Sequence, residues 1–188
     1  MRRVIIAVLV GSALASACGT GASGPVVLPT EDLPFDISRS LESADPLTAT
    51  TRREISFIRR GRLATVARRI ATDVSPQEAL LRALLDGPTG REIERGIQTL
   101  IPDTTRLLDV EIVDGITAVD LSSEFQTAAP SETIVLRIAQ VVWTITDTPG
   151  VLGVRFLIDG VPVTPVNGDG IQVDRPVTRG DYTNLAPR

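Results

Sequence analysis

Short runs of alternating apolar and polar residues recur along the chain, and a turn signal separates the members of each pair. The clearest signals are Asp114-Gly115 and Asp159-Gly160, and Gly61 divides an earlier pair. Asp-Gly between two alternating runs favours a two-residue hairpin, because both turn residues need positive φ. The pattern therefore predicts three β-hairpins, over residues 53–70, 107–121 and 151–166.

Two further segments carry apolar residues at the helical spacing of three and four positions. The first begins at the capping box Ser75-Pro76-Gln77-Glu78 and ends at Asp86-Gly87-Pro88. One more helical turn is predicted over residues 90–96. The second helix, from Pro130 to Asp147, is apolar around most of its circumference, so we expect it to be mostly buried.

The order of these elements is strands, helix, strands, helix, strands. On the second helix the polar stripe consists only of Thr133, Arg137, Gln140 and Thr144, and Trp143 lies on the apolar side. β-branched residues are frequent in this helix and are poor helix formers, so packing against a sheet is needed to hold it. The predicted fold class is α+β, a mainly antiparallel sheet with two helices packed on one face.

The N-terminus has the form of an export signal. Arg2 and Arg3 precede a short apolar run, and the small residues Ala15-Ser16-Ala17 follow it. The run is shorter than the roughly 20 residues that a membrane-spanning helix needs. We therefore predict a signal peptide over residues 1–17.

Two kinds of signal-peptide cleavage fit the residues before Cys18. Cleavage after Ala15-Ser16-Ala17 fits the ordinary small-residue rule, whereas a cysteine directly after the cut resembles the lipobox of bacterial lipoproteins. Cys18 is the only cysteine of the chain, and an unpaired thiol is a liability in an oxidising compartment unless it is modified. We favour lipid attachment at Cys18, which predicts an extracytoplasmic protein anchored to the cell membrane.

Residues 18–52 are rich in Gly, Ser, Thr, Pro and acidic residues, which predicts a flexible stalk before a domain over residues 53–188. The stalk opens with Gly19 to Gly24, whose letters match the dinucleotide fingerprint G-x-G-x-x-G. That motif binds pyrophosphate only between a strand and a helix, and here it leads from an export signal into Pro25. We expect no nucleotide and no other cofactor.

Composition excludes several classes of function. The chain of 188 residues has no His, and all 19 of its basic residues are Arg, so His-dependent triads, lysine Schiff bases and Lys-containing phosphate loops are impossible. The net charge is −4, and removal of the predicted signal peptide makes it more negative because Arg2 and Arg3 are lost. With few, scattered aromatic residues as well, we expect no nucleic-acid binding.

Three short patterns suggest chemistry, and each also has a simpler interpretation. Asp120 and Glu124 are the acid pair to consider for glycoside hydrolysis, although an exposed strand edge or a loop explains them more simply. Asn167-Gly168-Asp169-Gly170, with Asp174, carries oxygen ligands for Ca²⁺ but lacks the twelve-residue loop, which favours a turn. Arg179-Gly180-Asp181 spells a cell-adhesion tripeptide that chance explains. We assign no catalytic and no metal-binding residue.

Seven pieces of the globular part, taken in chain order, resemble a known family. They are Pro76-Gln77-Glu78-Ala79-Leu80 with Leu84-Leu85-Asp86-Gly87-Pro88-Thr89, Gly96, Ile101-Pro102, Val113-Asp114-Gly115 with Val119-Asp120-Leu121-Ser122, Ala139-Gln140-Val141-Val142-Trp143-Thr144, Phe156 with Asp159-Gly160, and Val177-Thr178-Arg179. In this order, over residues 53–183, they resemble the GerMN domain, named for a spore-germination protein. The resemblance implies a fold similar to the ring-building domains of secretion and sporulation complexes, on envelope lipoproteins or exported proteins, and it brings no catalytic residues.

The expected function is that of a non-enzymatic, membrane-anchored lipoprotein that binds another envelope protein. The resemblance is consistent with a sensor kinase or a cell-wall enzyme as the partner, and a transporter is a third class to consider. A lipid or glycolipid carrier that uses the space between helix and sheet is the alternative. A cell-wall hydrolase that uses Asp120 and Glu124 is the third possibility.

Overall fold

The secondary structure follows the predicted order. The computed structural model describes residues 50–71 and 74–187, and the predicted signal peptide, Cys18 and the Gly19–Gly24 run lie outside them. Strands and α-helices are β1 (Thr50–Arg59), β2 (Arg62–Ala71), α1 (Pro76–Leu85), α2 (Gly90–Glu94), β3 (Leu107–Val113), β4 (Ile116–Leu121), α3 (Ser131–Ile145), β5 (Gly153–Ile158) and β6 (Val161–Val163). Two 3-10 helices, Ser123–Gln126 and Arg179–Leu185, complete the described part.

All three predicted hairpins form, each with two turn residues of positive φ. The expected ends of several strands differ from the observed ones, and β5 begins at Gly153 in place of Val151. β1 begins at Thr50, not at residue 53, because residues 50–52 pair with the end of β2 although the sequence assigned them to the stalk. β6 ends at Val163, short of residue 166, and Pro165 has no amide N–H with which to continue the strand.

Helix α1 begins at its predicted capping residue, and α2 begins at a capping box as well. Ser75 Oγ accepts a hydrogen bond of 3.1 Å from the amide of Glu78 at the start of α1. The short helix α2 has a full capping box, in which Glu92 Oε2 accepts a hydrogen bond of 2.8 Å from the amide of Thr89. In α3, ten of the fifteen residues are buried, which confirms that the helix is mostly buried.

The strands form two separate sheets. Among the described residues, β1 and β2 form a two-stranded sheet, and β3, β4, β5 and β6 form a four-stranded sheet in that order. The β3–β4 and β5–β6 pairs are antiparallel, whereas β4 and β5 run parallel because the chain crosses over through α3 between them. The α+β fold with a mainly antiparallel sheet is therefore confirmed, and its strands are divided between two sheets.

α3 contacts both sheets and also packs against α1. The outer edge of β1 is closed by three different groups, which accept hydrogen bonds from alternate amides. The Glu54 amide donates to Asp147 Oδ2 at 3.4 Å, and the Ser56 amide donates to Thr144 Oγ1 at 3.0 Å. The Ile58 amide donates to the Gln98 carbonyl at 2.8 Å. These contacts join the hairpin to the helix and to a loop, so no further strand can pair along these positions.

Candidate functional site

An apolar pocket of about 330 Å³ lies between α3 and the β5–β6 side of the four-stranded sheet. Phe125 and Phe156 stack in its lining, with their ring centroids 6.1 Å apart and an angle of 14° between the ring planes. α3 contributes Ile134 and Ile138, and the chain after β5 contributes the residues around Val163. This pocket occupies the space between helix and sheet that the sequence assigned to a possible carrier.

Arg137 is the charged residue that lines this pocket, and it is only 5% exposed. Nε donates to the carbonyl of Leu100 at 2.9 Å, and Nη1 donates to the carbonyls of Phe125 at 2.5 Å and Thr127 at 3.1 Å. The guanidinium carbon also lies 5.9 Å from the Phe125 ring centroid. Burial lowers the pKa of Arg137 because it disfavours the charged form.

Gln140 and Thr144 of the polar stripe on α3 are buried as well, and Thr133 is half-buried, although the polar periodicity predicts an exposed side. Gln140 Oε1 accepts a hydrogen bond of 3.0 Å from the Leu100 amide, and Gln140 Nε2 donates to Thr99 Oγ1 at 3.1 Å. Arg137 and Gln140 therefore bind loops, and Thr144 binds strand β1, where a polar stripe would otherwise contact solvent. The available signal was the position of Arg137, a single cation inside an otherwise apolar stretch of helix.

β3 is an edge strand whose exposed side chains are partly apolar. Ile112 and Val113 are 43% and 57% exposed, and Leu108 is also exposed. Within the described residues, the backbone of β3 pairs with β4 and makes no hydrogen bond on its other side. An edge strand of this kind is a template for pairing with another extended chain.

Asp120 and Glu124, the acids considered for hydrolysis, both make contacts within the fold. Asp120 Oδ1 accepts a hydrogen bond of 3.1 Å from the Gly160 amide and so supports the β5–β6 turn. Glu124 lies on a 3-10 helix beyond the end of the strand, 3.6 Å from Arg106. The Ser122 hydroxyl, the local backbone and Arg106 hold the pKa of Glu124 below its usual value, which makes it a poor proton donor.

The loop considered for Ca²⁺ is held together by its own hydrogen bonds. Asn167 Oδ1 accepts from the amides of Asp169 at 3.0 Å and Ile171 at 2.9 Å. Asn184 Nδ2 donates to the carbonyl of Gly168 at 3.0 Å. The candidate ligand oxygen of Asn167 is thus already an acceptor for two backbone amides, as in an Asx turn.

Arg179-Gly180-Asp181 begins a 3-10 helix, and both of its charged side chains bind within the molecule. Asp181 accepts hydrogen bonds from the Thr178 amide at 2.8 Å and from Arg175 Nη2 at 2.6 Å. Arg179 lies over the ring of Trp143. Trp143 is half-buried against the core. The Arg179-Gly180-Asp181 tripeptide and Trp143 therefore both have structural roles here.

Among residues 50–71 and 74–187, no three or more acidic or thiol side chains gather closely enough to hold a metal ion. No helix in the same part of the chain is long and apolar enough to cross a membrane.

The family model described as Germane, sporulation and spore germination, matches residues 45–164. The chain belongs to the Germane family. The match covers all three hairpins and α3 and ends just beyond β6, so it includes most of the pocket lining. Germane domains are not a known enzyme family. A comparison with curated proteins found no match.

Three solved structures share the fold of this Germane domain. The tandem GerMN domains of the sporulation protein GerM from Bacillus subtilis align with a TM-score of 0.57 and 22% identity over 74% of this chain. The chain spans about half of that tandem structure, 49%. The first GerMN domain of the same protein gives 0.53 and 24% identity, over 70% of this chain and 99% of the domain.

A candidate lipoprotein from Clostridium perfringens is the third similar structure. It aligns with a TM-score of 0.51 and 21% identity, over 76% of this chain and 96% of that protein. The recognition of a GerMN-type domain is confirmed, as is the fold that it implies.

Proposed function

We propose that this Germane-family protein is a non-enzymatic, extracytoplasmic lipoprotein that binds another envelope protein through the open edge of β3. Cys18 carries the lipid anchor, and the residues between Cys18 and the start of β1 at Thr50 form the stalk that holds the domain away from the membrane. The partner belongs to one of three classes: a sensor kinase, a transporter or a cell-wall enzyme. The observation that carries the proposal is the contrast between two of the four edge strands, β1 and β3.

The edge of β1 is occupied by Asp147, Thr144 and the Gln98 carbonyl, as described above. The edge of β3 carries the exposed side chains of Ile112 and Val113 and an unpaired backbone. An extended segment of a partner that pairs with β3 gains backbone hydrogen bonds and covers these apolar side chains. Exposed apolar groups on a soluble domain are typical of such contact surfaces.

Two further observations support the anchored location. Cys18 is the only cysteine and follows directly after a predicted export signal. A stalk of about 30 residues reaches on the order of 30 Å as a random coil, enough to clear the lipid headgroups. The candidate lipoprotein from Clostridium perfringens shares the fold, and this similarity supports the proposal of an anchored role.

The anchor is tested by Cys18→Ala in the full chain. We expect the wild-type protein in the membrane fraction and the variant in the soluble extracytoplasmic fraction, with the same circular dichroism spectrum. A variant that stays in the membrane fraction after a high-salt wash contradicts anchoring through Cys18.

The binding edge is tested by crosslinking in cells, followed by purification through a C-terminal tag. Ile112→Lys places a charge on the β3 edge, and Ile171→Lys is the control because Ile171 is also an exposed isoleucine but lies outside the strands. We expect a near-stoichiometric partner with the wild type and the control, and loss of that partner with Ile112→Lys. Equal capture by all three proteins contradicts a role for the β3 edge.

A carrier function is the second candidate, since the pocket beside α3 is apolar and about 330 Å³ in volume. Hydrolysis through Asp120 and Glu124 is disfavoured, because Asp120 supports a turn and the pKa of Glu124 is lowered. Release of wall fragments by the wild type, abolished by replacing both acids with alanine, would reverse this judgement.

A further inference from the structure

The pocket beside α3 combines an apolar lining with a buried cation that has no carboxylate partner. Five arginines of the described residues form ion pairs with Asp or Glu: Arg68, Arg82, Arg106, Arg175 and Arg179. Arg137 is more buried than any of these and, within residues 50–71 and 74–187, has no acidic group within 4.0 Å. Backbone carbonyls stabilise it but leave its charge uncompensated.

One nitrogen of this guanidinium is available for a ligand. Nε and Nη1 of Arg137 donate to the carbonyls of Leu100, Phe125 and Thr127, whereas Nη2 makes no hydrogen bond to any described residue. Nη2 is also not among the fully enclosed polar atoms that lack a partner. Because Arg137 lines the pocket, we infer that this nitrogen is reached from the pocket space.

We propose that this pocket binds a single-chain fatty carboxylate, with its acyl chain between Phe156 and Ile134 and its carboxylate on Nη2 of Arg137. Among residues 50–71 and 74–187, no acidic residue lines the pocket, so none of these side chains opposes an anion there. A charge-assisted hydrogen bond from a desolvated guanidinium to a carboxylate is among the stronger polar contacts in proteins. The acyl chain meets aliphatic and aromatic side chains along the helix and the sheet.

The volume and the polar groups of the lining limit the ligand class. About 330 Å³ is at the small end of ligand pockets, which favours one short acyl chain over a two-chain lipid. Besides Arg137, the polar side chains that the described part of the chain brings to the lining are those of Gln126 and Thr164. A peptide would bury amide groups that two such residues cannot satisfy, so a fatty carboxylate fits better than the C-terminus of a protein.

The site is independent of the proposed protein-binding edge, because the pocket lies on the β6 side of the sheet and β3 is the opposite edge. Failure of one proposal therefore leaves the other standing. Ile112→Lys is expected to leave ligand binding unchanged.

Calorimetric titration of the full chain with three probes of equal chain length tests the proposal. The probes are decanoate, decanol and decyltrimethylammonium, with the two ions below their micelle concentrations and decanol below its solubility limit. We expect one decanoate to bind per chain and decanol to bind with an affinity lower by about tenfold or more. Decyltrimethylammonium, the cation, should not bind. Equal affinity for decanoate and decanol, or no binding of decanoate, overturns the proposal.

Two variants locate the binding. Arg137→Gln is expected to remove the preference for decanoate over decanol, and Arg175→Gln is the control because Arg175 lies outside this pocket. Arg137 also holds two loops, so a second variant, Val163→Phe, fills the pocket and leaves Arg137 in place. Val163→Phe is expected to lower the affinity for decanoate by about tenfold or more.

Unchanged decanoate binding in folded Val163→Phe overturns the proposed site, whatever the behaviour of Arg137→Gln. An apolar decapeptide with a free C-terminus serves as the competing probe. If it displaces decanoate and binds more tightly, whereas its C-terminal amide does not bind, the proposal of a fatty carboxylate is wrong and a peptide carboxylate takes its place.

Discussion

Arg179 covers the indole ring of Trp143, with 4.8 Å between its guanidinium carbon and the ring centroid. The same side chain donates through Nη2 to the Trp143 carbonyl at 2.8 Å and through Nε to Thr146 Oγ1 at 2.7 Å. It therefore ties the C-terminal 3-10 helix to the end of α3 by two hydrogen bonds and a cation–π contact.

Loss of this contact should destabilise the domain. We expect Arg179→Ala to lower the free energy of unfolding by about 1–3 kcal/mol and Arg179→Lys by less, since lysine keeps the charge but not the forked donors. Trp143 is the only tryptophan, so its fluorescence during urea unfolding measures the change directly. Arg155→Ala, at an exposed arginine on β5, is the control, and equal stability of all variants would contradict this role.

The hydrogen bond from Ser56 to Thr144 gives a sharper test, because both residues are buried. Thr144→Val keeps the shape of the side chain but leaves the Ser56 amide without its acceptor. We expect a loss of about 1–3 kcal/mol in unfolding free energy, measured by urea denaturation. Thr144→Ser retains the hydroxyl and should lose clearly less; a valine variant as stable as the serine variant would rule out the importance of this bond.

Two glycines of the hairpin turns have the same backbone conformation but different surroundings. Gly61 and Gly115 have φ values of 72° and 78°. A Cβ on Gly61 meets nothing within 4 Å, whereas one on Gly115 would lie 2.9 Å from both the Gly150 carbonyl oxygen and Leu152 Cγ. We expect Gly61→Ala to cost about 1 kcal/mol and Gly115→Ala at least about 2 kcal/mol, measured by thermal or urea unfolding. Equal costs would show that the clash is relieved by movement of the 150–152 loop.

Acid should weaken the link between β2 and α2. Glu92 accepts two hydrogen bonds from Arg68 and one from the Thr89 amide. Together these contacts lower the pKa of Glu92 from 4.5 to about 2. A carboxyl whose pKa is lowered by folding stabilises the fold fully above pH 4.5, and this stabilisation is lost as pH falls towards 2. Part of it is screened by solvent, so we expect about 1–3 kcal/mol.

The measurement compares unfolding free energies of the wild type and Glu92→Gln across this range. The difference between them should be largest above pH 5 and should shrink as pH approaches 2. Glu94→Gln, at an exposed acid on the same helix, is the control. A difference that is constant with pH would mean that the ionised form of Glu92 does not stabilise the fold.

Local sequence signals determined the elements of this fold. Asp114-Gly115 and Asp159-Gly160 specify hairpins because both positions adopt positive φ, and Ser75 with Glu78 begins α1 through a contact over three residues. These features depend on near neighbours in the chain, so the order of strands and helices follows from the sequence alone. The family resemblance rests on the same short pieces.

Contacts over long sequence distances decided the remainder. Arg137 and Gln140 follow a polar periodicity that predicts exposure, but loops at residues 99–101 and 125–127 fold over them and bury both. The parallel pairing of β4 with β5, the open edge of β3 and the pocket beside α3 likewise depend on how separate segments pack. Periodicity reports which side of an element is polar, and only packing determines whether that side meets water or protein.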